Sequence, residues 1–171
     1  MANLWHVQIL TLDYLVEGIF DQDHDQDDSI QSFQAPGDDK QNIKQLISAR
    51  FQPTHNLALP AGSADAWYVY GDHVVVAVIP RDEASTAFAV KNSKFKSTFL
   101  ADIYLGAYVI HGTVLSPIPE EYGLNALREY SNFAVKDAQV ECHFPGANLP
   151  VLSAPFMLVG THHVQGATLR K

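Results

Sequence analysis

The chain repeats itself, and this repetition limits the folds open to it more than any other feature of the sequence. Residues 59–77 align with residues 149–167 without a gap at a constant offset of 90 positions, and 8 of the 19 aligned pairs are identical. A shorter block, residues 13–20, aligns with residues 107–114 at an offset of 94. Two blocks in the same order favour duplication of one ancestral unit, because chance similarity between apolar strands accounts for one block only.

The longer block has the pattern of a β-hairpin in both copies. Residues 67–79 place apolar, aromatic and β-branched residues on either side of Gly71-Asp72, and residues 156–169 do the same around Gly160-Thr161. Strand-forming arms on both sides of a short turn are typical of a hairpin. We therefore expect two strands from this block in each copy.

Two further segments of each copy also indicate strands. Residues 7–20 and 103–115 are long apolar runs, and each contains a glycine, Gly18 or Gly112, four residues after a tyrosine. A glycine inside a strand indicates a bulge or a bend, which allows a small sheet to curve. The additional strands expected in the two copies are residues 46–54 and 133–144.

Helical patterns are confined to the connecting segments. Residues 38–48 and 124–130, which precede the additional strand in the two copies, each predict a short helix. Residues 81–91 predict a helix between the copies, and residues 91–98, with three lysines, indicate an exposed linker.

These patterns predict a mostly β fold made of two tandem, diverged copies of a small β-barrel or half-barrel unit, with short connecting helices. The first unit spans residues 1–80 and includes an acidic loop at residues 21–36. The helix and linker occupy residues 81–98, and the second unit spans residues 99–171. About four strands per unit are too few to bury both faces of a sheet, so we expect the two units to pack on each other.

The Tyr-x-x-x-Gly strands at Tyr14–Gly18 and Tyr108–Gly112 make the chain similar to the small bacterial barrels of the PilZ and Sm-like types, over about half of its length. The PilZ resemblance implies cyclic-dinucleotide binding through an Arg-x-x-x-Arg sequence and a downstream Asp-x-Ser-x-x-Gly, and this sequence contains neither. The Sm-like resemblance implies RNA binding on a ring, which a net charge of −8 opposes. The resemblance therefore supplies a strand pattern and no functional residue.

The charge is acidic and unevenly distributed. Residues 1–88 carry 13 acidic and 4 basic residues, a net charge of −9, whereas residues 89–171 carry 6 and 7, a net charge of +1. The net charge argues against a nucleic-acid partner, since phosphate binding relies on clustered Lys and Arg. The asymmetry is compatible with head-to-tail association of one molecule's first half with another's second half, or with a solvated acidic loop that has no partner.

The cellular location is constrained by what the sequence lacks. It contains no run of about 18 apolar residues, the length that a membrane helix requires, so no membrane partner is expected. Its first residues do not have the basic and apolar regions of a secretory signal. Cys142 is the single cysteine and cannot form an internal disulfide, which agrees with a reducing compartment. We expect a cytoplasmic protein.

Aspartates at every second position make the acidic loop a candidate calcium site. Asp21, Asp23 and Asp25 have the alternating spacing with which calcium loops surround a hard cation. The pattern then departs from such loops, since Gln26 stands in place of the glycine and Ser32 in place of the bidentate glutamate. The same composition is typical of a solvated or disordered loop.

His73 and His163 occupy matching positions in the duplicated hairpin and are candidate ligands of a single metal ion between the copies. Zinc would require two more ligands, and His162 is on the opposite face from His163 if both lie in a strand. The alternative is that both histidines are solvent-facing hairpin residues inherited from the ancestral unit.

No catalytic residue is predicted. Cys142 and His143 are adjacent, but neighbouring strand residues point to opposite faces, whereas nucleophilic catalysis requires the two side chains within hydrogen-bond reach. The sequence has no Gly-x-Ser-x-Gly turn, no Gly-x-x-x-x-Gly-Lys phosphate loop and no Gly-x-Gly-x-x-Gly fingerprint, and no cofactor is expected.

The leading functional hypothesis is a non-catalytic binding or scaffold protein, because a duplicated β unit without a convergent acid, base and nucleophile is typical of an interaction module. Runs of consecutive apolar residues such as 66–70 and 74–80 need cover on both faces, which favours a protein partner or self-association, most simply as a homo-oligomer. The alternative is an enzyme, or a small-molecule or metal-binding protein, whose site lies in the cleft between the copies. Such a cleft would gather Tyr14, Tyr108, His73 and His163.

Overall fold

The computed structural model describes residues 4–21, 43–70, 75–83, 86–87, 95–116, 119, 132–147, 149 and 151–170. The elements defined in these ranges are ten β-strands and one short 3-10 turn, Thr161–His163. The strands are β1 (Leu4–Thr11), β2 (Tyr14–Asp21), β3 (Ile43–Pro53), β4 (Gly62–Tyr70), β5 (Val75–Pro80), β6 (Ser97–Leu105), β7 (Tyr108–Ser116), β8 (Asn132–Cys142), β9 (Leu152–Gly160) and β10 (Gly166–Leu169).

All ten strands belong to one antiparallel sheet in the order β10-β6-β7-β8-β9-β5-β1-β2-β3-β4. The mostly β prediction is confirmed. The expected separate barrel units are not, because β5 of the first half pairs with β9 of the second and the sheet continues from one half into the other. Within the described ranges the sheet is open, with β10 at one end and β4 at the other.

The two long apolar runs are hairpins rather than single strands. The run at 7–20 turns at Leu12-Asp13 between β1 and β2, and the run at 103–115 turns at Gly106-Ala107 between β6 and β7. Gly106 has a φ of +65°, a left-handed conformation that glycine adopts without a steric cost. Each half therefore contributes five strands instead of the expected four.

Strand order and register are the same in the two halves. In each half four strands form a meander, and the fifth strand pairs back with the first. The register of the third and fourth strands also matches. Ala49 lies opposite Ala64 in the first half, and their equivalents, Ala138 and Ala154, lie opposite each other in the second half. Ala138 follows Ala49 by 89 residues, and Ala154 follows Ala64 by 90. Ile9 lies opposite Val78 in the same way as Ile103 lies opposite Ala167.

The fifth strand corrects the sequence alignment by one position. The offset of 90 that relates β4 to β9 places Ala77 over Ala167, whereas the register against the first strand places Ala77 over Gly166 and Val78 over Ala167. A register shift in β5 causes this, since Val75 pairs with Thr11 and Ala77 with Leu10, so that β5 has one extra residue there. The pairing of β10 with β6 has no such shift.

The expected bulges are present at Gly18 and Gly112. The register of β2 against β3 shifts at Gly18, and that of β7 against β8 shifts at Gly112. Opposite each glycine the partner strand contains a residue with positive φ, Ser48 at 51° or Asp137 at 50°. The extra residue of a bulge bends its strand and leaves the facing glycine close to the partner backbone.

The buried side chains form two cores on opposite faces of the central strands. The first-half core contains residues of β1 to β5 together with four residues of β7 to β9, namely Leu115, Ala134, Phe156 and Leu158. The second-half core contains residues of β6 to β9, including Met157 and Val159, together with Ala77 and other residues of the first half. Because successive strand residues point to opposite faces, β5 and β9 are covered on both sides.

The helix predicted at residues 38–48 is wrong for residues 43–48, which belong to β3. Residues 43–47 and 49–51 pair with β4, with Leu46 and Ala49 buried, and this sheet pairing overrides the weak helical pattern. The helix predicted at 81–91 is described in part, with a hydrogen bond from Thr86 N to Asp82 O. The helix predicted at 124–130 and the acidic loop, apart from Asp21, lie outside the described residues.

Candidate functional site

The predicted metal ligands are only partly within the described residues. His73, Asp23 and Asp25 lie outside them. Asp21 is the last residue of β2. His163 ends the 3-10 turn between β9 and β10 and is half-buried. In the part of the chain that the structure describes, no group of three or more His, Cys, Asp or Glu residues could hold a metal ion. Both metal hypotheses remain predictions.

Cys142 and His143 have different surroundings. Cys142 is half-buried at the end of β8 and packs against the second-half core. His143 follows the strand with an exposed side chain, and its Nε2 lies 3.5 Å from Glu141 Oε2.

Tyr108 connects the two halves. Its hydroxyl donates to the carbonyl oxygen of Leu12 at 3.0 Å, lies 3.3 Å from that of Thr11, and is 2.7 Å from Thr54 Oγ1. Burial raises the pKa of Tyr108 to about 12 against the lowering influence of the Thr54 hydrogen bond. The tyrosine is therefore a neutral interior side chain that joins β7 to the β1–β2 turn and to the segment after β3.

Tyr14, which has the same position in the first half, is not part of that group. It packs against Phe51 and Trp67, with ring centroids 6.0 and 5.6 Å away. The structure thus does not bring Tyr14 and Tyr108 together in a shared cleft.

A polar cluster that the sequence analysis missed lies across β6 and β7. Arg170 donates from Nε and Nη2 to the two carboxylate oxygens of Asp102 at 2.8 and 2.6 Å. His111 Nδ1 lies 2.7 Å from Asp102 Oδ1. Desolvation by itself raises the pKa of Asp102, but the hydrogen bonds from His111 and Arg170 and the charge of Arg170 together hold it below its usual value. The arrangement neutralises a carboxylate and anchors the end of β10.

The first half has a cross-strand hydrogen bond at the equivalent positions. Gln8 Nε2 donates to Glu17 Oε2 at 2.9 Å, and these residues match Asp102 and His111 in register. Gln8 Oε1 is buried without a hydrogen-bond partner in the described part of the chain. Gln8, Glu17 and Arg50 line a cavity of about 180 Å³ at this place.

A larger cleft lies at the junction of the two halves. It has a volume of about 460 Å³ between the segment that follows β5 and the start of β9. Its charged side chains are Arg81, Asp82 and Glu83, and Ser153 and Pro155 line the opposite wall.

Large apolar side chains are exposed near both ends of the sheet. Tyr68 of β4 is 51% exposed, whereas Leu158, its counterpart in β9, is 3% exposed. Tyr104 of β6, next to β10, is 39% exposed, whereas its counterpart Leu10 is 0% exposed. Residues equivalent to those buried near the β5–β9 junction are therefore exposed near the two ends of the sheet. We call the outer edges of β4 and β10 the end edges.

Comparison with protein-family models, curated proteins and solved structures gives no match. The described residues contain no helix that is long and apolar enough to cross a membrane.

Proposed function

We propose that the chain is a non-catalytic binding or scaffold protein that works in the cytoplasm and associates through its end edges, most simply with copies of itself. The observation that carries this proposal is the exposed β4 edge, a strand of nine residues at the end of an open sheet. Unpaired backbone groups along such an edge are a template for another strand.

Within its nine residues, the β4 strand lacks the usual protection against strand pairing. Proteins protect exposed edges with lysine, proline, short strands or bulges. The β4 strand contains no proline or basic residue and one acidic residue, Asp65. It thus has the composition of a pairing surface, whereas β10 is a short strand of four uncharged residues, Gly166–Leu169.

The same proposal includes an origin by duplication. The identical strand order, the matched registers and the two glycine bulges all support two copies of one five-strand unit. A positive φ at a non-glycine residue is uncommon, and its occurrence at Ser48 and Asp137, both opposite a glycine, is difficult to explain by independent origins.

The test is self-association of the purified chain, measured by light scattering and sedimentation velocity over the micromolar concentration range. The weight-average mass should rise with concentration. Tyr68→Lys should reduce this rise, because pairing would bury a charge where the counterpart Leu158 is buried. Ser63→Lys, which also adds a lysine at an exposed position of β4, is the matched control and should associate like the unmodified chain. A monomer at every concentration would contradict the proposal.

A further inference from the structure

We infer that β10 of one molecule pairs with β4 of a second copy in the register by which β5 pairs with β9 inside the chain, so that molecules join head to tail into an open-ended assembly. This inference rests on the proposed function, since it names the partner and the register of the same end edges.

The internal junction defines the register. Ala77 lies opposite Val159, and Val78 lies opposite Leu158. In the second half, Gly166 corresponds to Ala77 and Ala167 to Val78. In the first half, Val69 corresponds to Val159 and Tyr68 to Leu158. Pairing between molecules therefore places Gly166 opposite Val69 and Ala167 opposite Tyr68.

Burial on the two sides of this contact supports it. Inside the chain, Val78 and Leu158 are each 3% exposed, because the first-half core covers them. Their counterparts Ala167 and Tyr68 are exposed. A second copy would therefore remove from water an aromatic side chain at a position that the internal junction already buries.

Charge along the same register does not oppose the contact. Three residues beyond the Ala167–Tyr68 pair, the register places Asp65 opposite Arg170, whose guanidinium also binds Asp102 inside its own chain. More broadly, the contact brings the half with a net charge of −9 against the half with +1. A contact between two first halves would instead join two halves that each have a net charge of −9.

The geometry of the repeat makes the assembly open-ended. Equivalent strands are five places apart in the sheet, and neighbours are antiparallel, so each step reverses the strand direction. The operation that relates one half to the next advances along the sheet and reverses the strand direction, so it must also exchange the two faces of the sheet. The two cores accordingly lie on opposite faces of β5 and β9. A contact between different surfaces, repeated with an advance, gives a filament rather than a closed dimer.

Complementation between two blocked variants tests this arrangement. Tyr68→Lys blocks only the β4 edge and Ala167→Lys blocks only the β10 edge, and both positions are exposed, so folding is retained. Each variant alone should be monomeric. An equimolar mixture should form a dimer and nothing larger, because one intact edge remains on each molecule, whereas the unmodified chain should form a series of larger species. Far-ultraviolet circular dichroism confirms that both variants keep the sheet.

The register is tested by disulfide cross-linking in a Cys142→Ser background. Tyr68→Cys mixed with Ala167→Cys should give a cross-linked dimer under mild oxidation, and neither variant alone should do so. Ser63→Cys mixed with Ala167→Cys is the control outside the register and should give at least tenfold less.

The outcomes separate the two proposals. An unmodified chain that stays monomeric would overturn both. If Tyr68→Lys weakens association, the end edge is the interaction surface. The head-to-tail arrangement would still be overturned if association stops at a dimer, if the two blocked variants show no complementation, or if Tyr68→Cys cross-links to itself.

Discussion

Gly112 lies where β7 passes close to the backbone of β8. A Cβ atom at this position would be 2.9 Å from the Lys136 carbonyl oxygen and 2.6 Å from Val135 Cγ1. At Gly18 the same atom would meet Leu46 Cβ at 3.1 Å and the Ile47 carbonyl oxygen at 3.2 Å, which is tight but less severe. The two bulges therefore differ in how much they tolerate a side chain.

From this difference we expect Gly112→Ala to lower the free energy of unfolding by about 2 kcal/mol, as overpacking does in other cores. Gly18→Ala, the matched control, should cost less because smaller shifts relieve its contacts. Urea denaturation monitored by circular dichroism measures both changes. A larger cost for Gly18→Ala would contradict this account of the bulges.

Tyr108 gives a prediction for the connection between the halves. Removing its hydroxyl leaves the Leu12 carbonyl and Thr54 Oγ1 without their shared partner in the interior, so Tyr108→Phe should cost about 1–2 kcal/mol. Tyr14→Phe is the control, since the described residues offer the Tyr14 hydroxyl no hydrogen bond, and it should change the stability little in a dilute, monomeric sample.

The pKa of Tyr108 adds a pH dependence to this prediction. Folding raises the pKa to about 12 from an ordinary value near 10, so the folded chain retains the proton that the unfolded chain releases. The stabilisation is complete below about pH 10 and is lost as the pH rises through 12. The alkaline loss of stability should be smaller in Tyr108→Phe, as urea denaturation at a series of pH values would show; an unchanged alkaline loss would contradict the role of this hydroxyl.

At the scale of the elements, the apolar and β-branched runs overlap all ten strands but miss the first residues of β4, β6 and β9. The two glycines were sufficient to predict the bulges. The turns inside residues 7–20 and 103–115 were missed, because Leu12-Asp13 and Gly106-Ala107 interrupt the apolar runs only briefly. The helix predicted over residues 38–48 was wrong at residues 43–48 because pairing with β2 and β4, which no local pattern contains, determines their structure.

The polar cluster shows why side-chain groups were harder to predict than strands. Asp102 and His111 meet because β6 and β7 form a hairpin, so the pair could be predicted only after the turn at Gly106-Ala107 was located. Arg170 reaches them because β10 returns to pair with β6, which is a long-range contact. The exposure of Tyr68 likewise depends on the place of β4 at the end of the sheet, which the sequence of that strand does not contain.

At the scale of the whole molecule, the uneven charge distinguishes the ways in which copies could meet. Head-to-tail pairing brings a half with a net charge of −9 against one with +1, a weak attraction that salt screens. Pairing of two β4 edges would bring −9 against −9, a repulsion that salt relieves.

We therefore expect the self-association constant of the unmodified chain to fall slightly between low and high salt concentration, because the weak attraction across the contact is lost. Sedimentation velocity at matched protein concentrations measures this change, and Asp65→Asn, which removes the charge opposite Arg170, should make the constant less sensitive to salt. Association that strengthens markedly with added salt would show that two acidic first halves meet at the contact, because only that arrangement gains from screening.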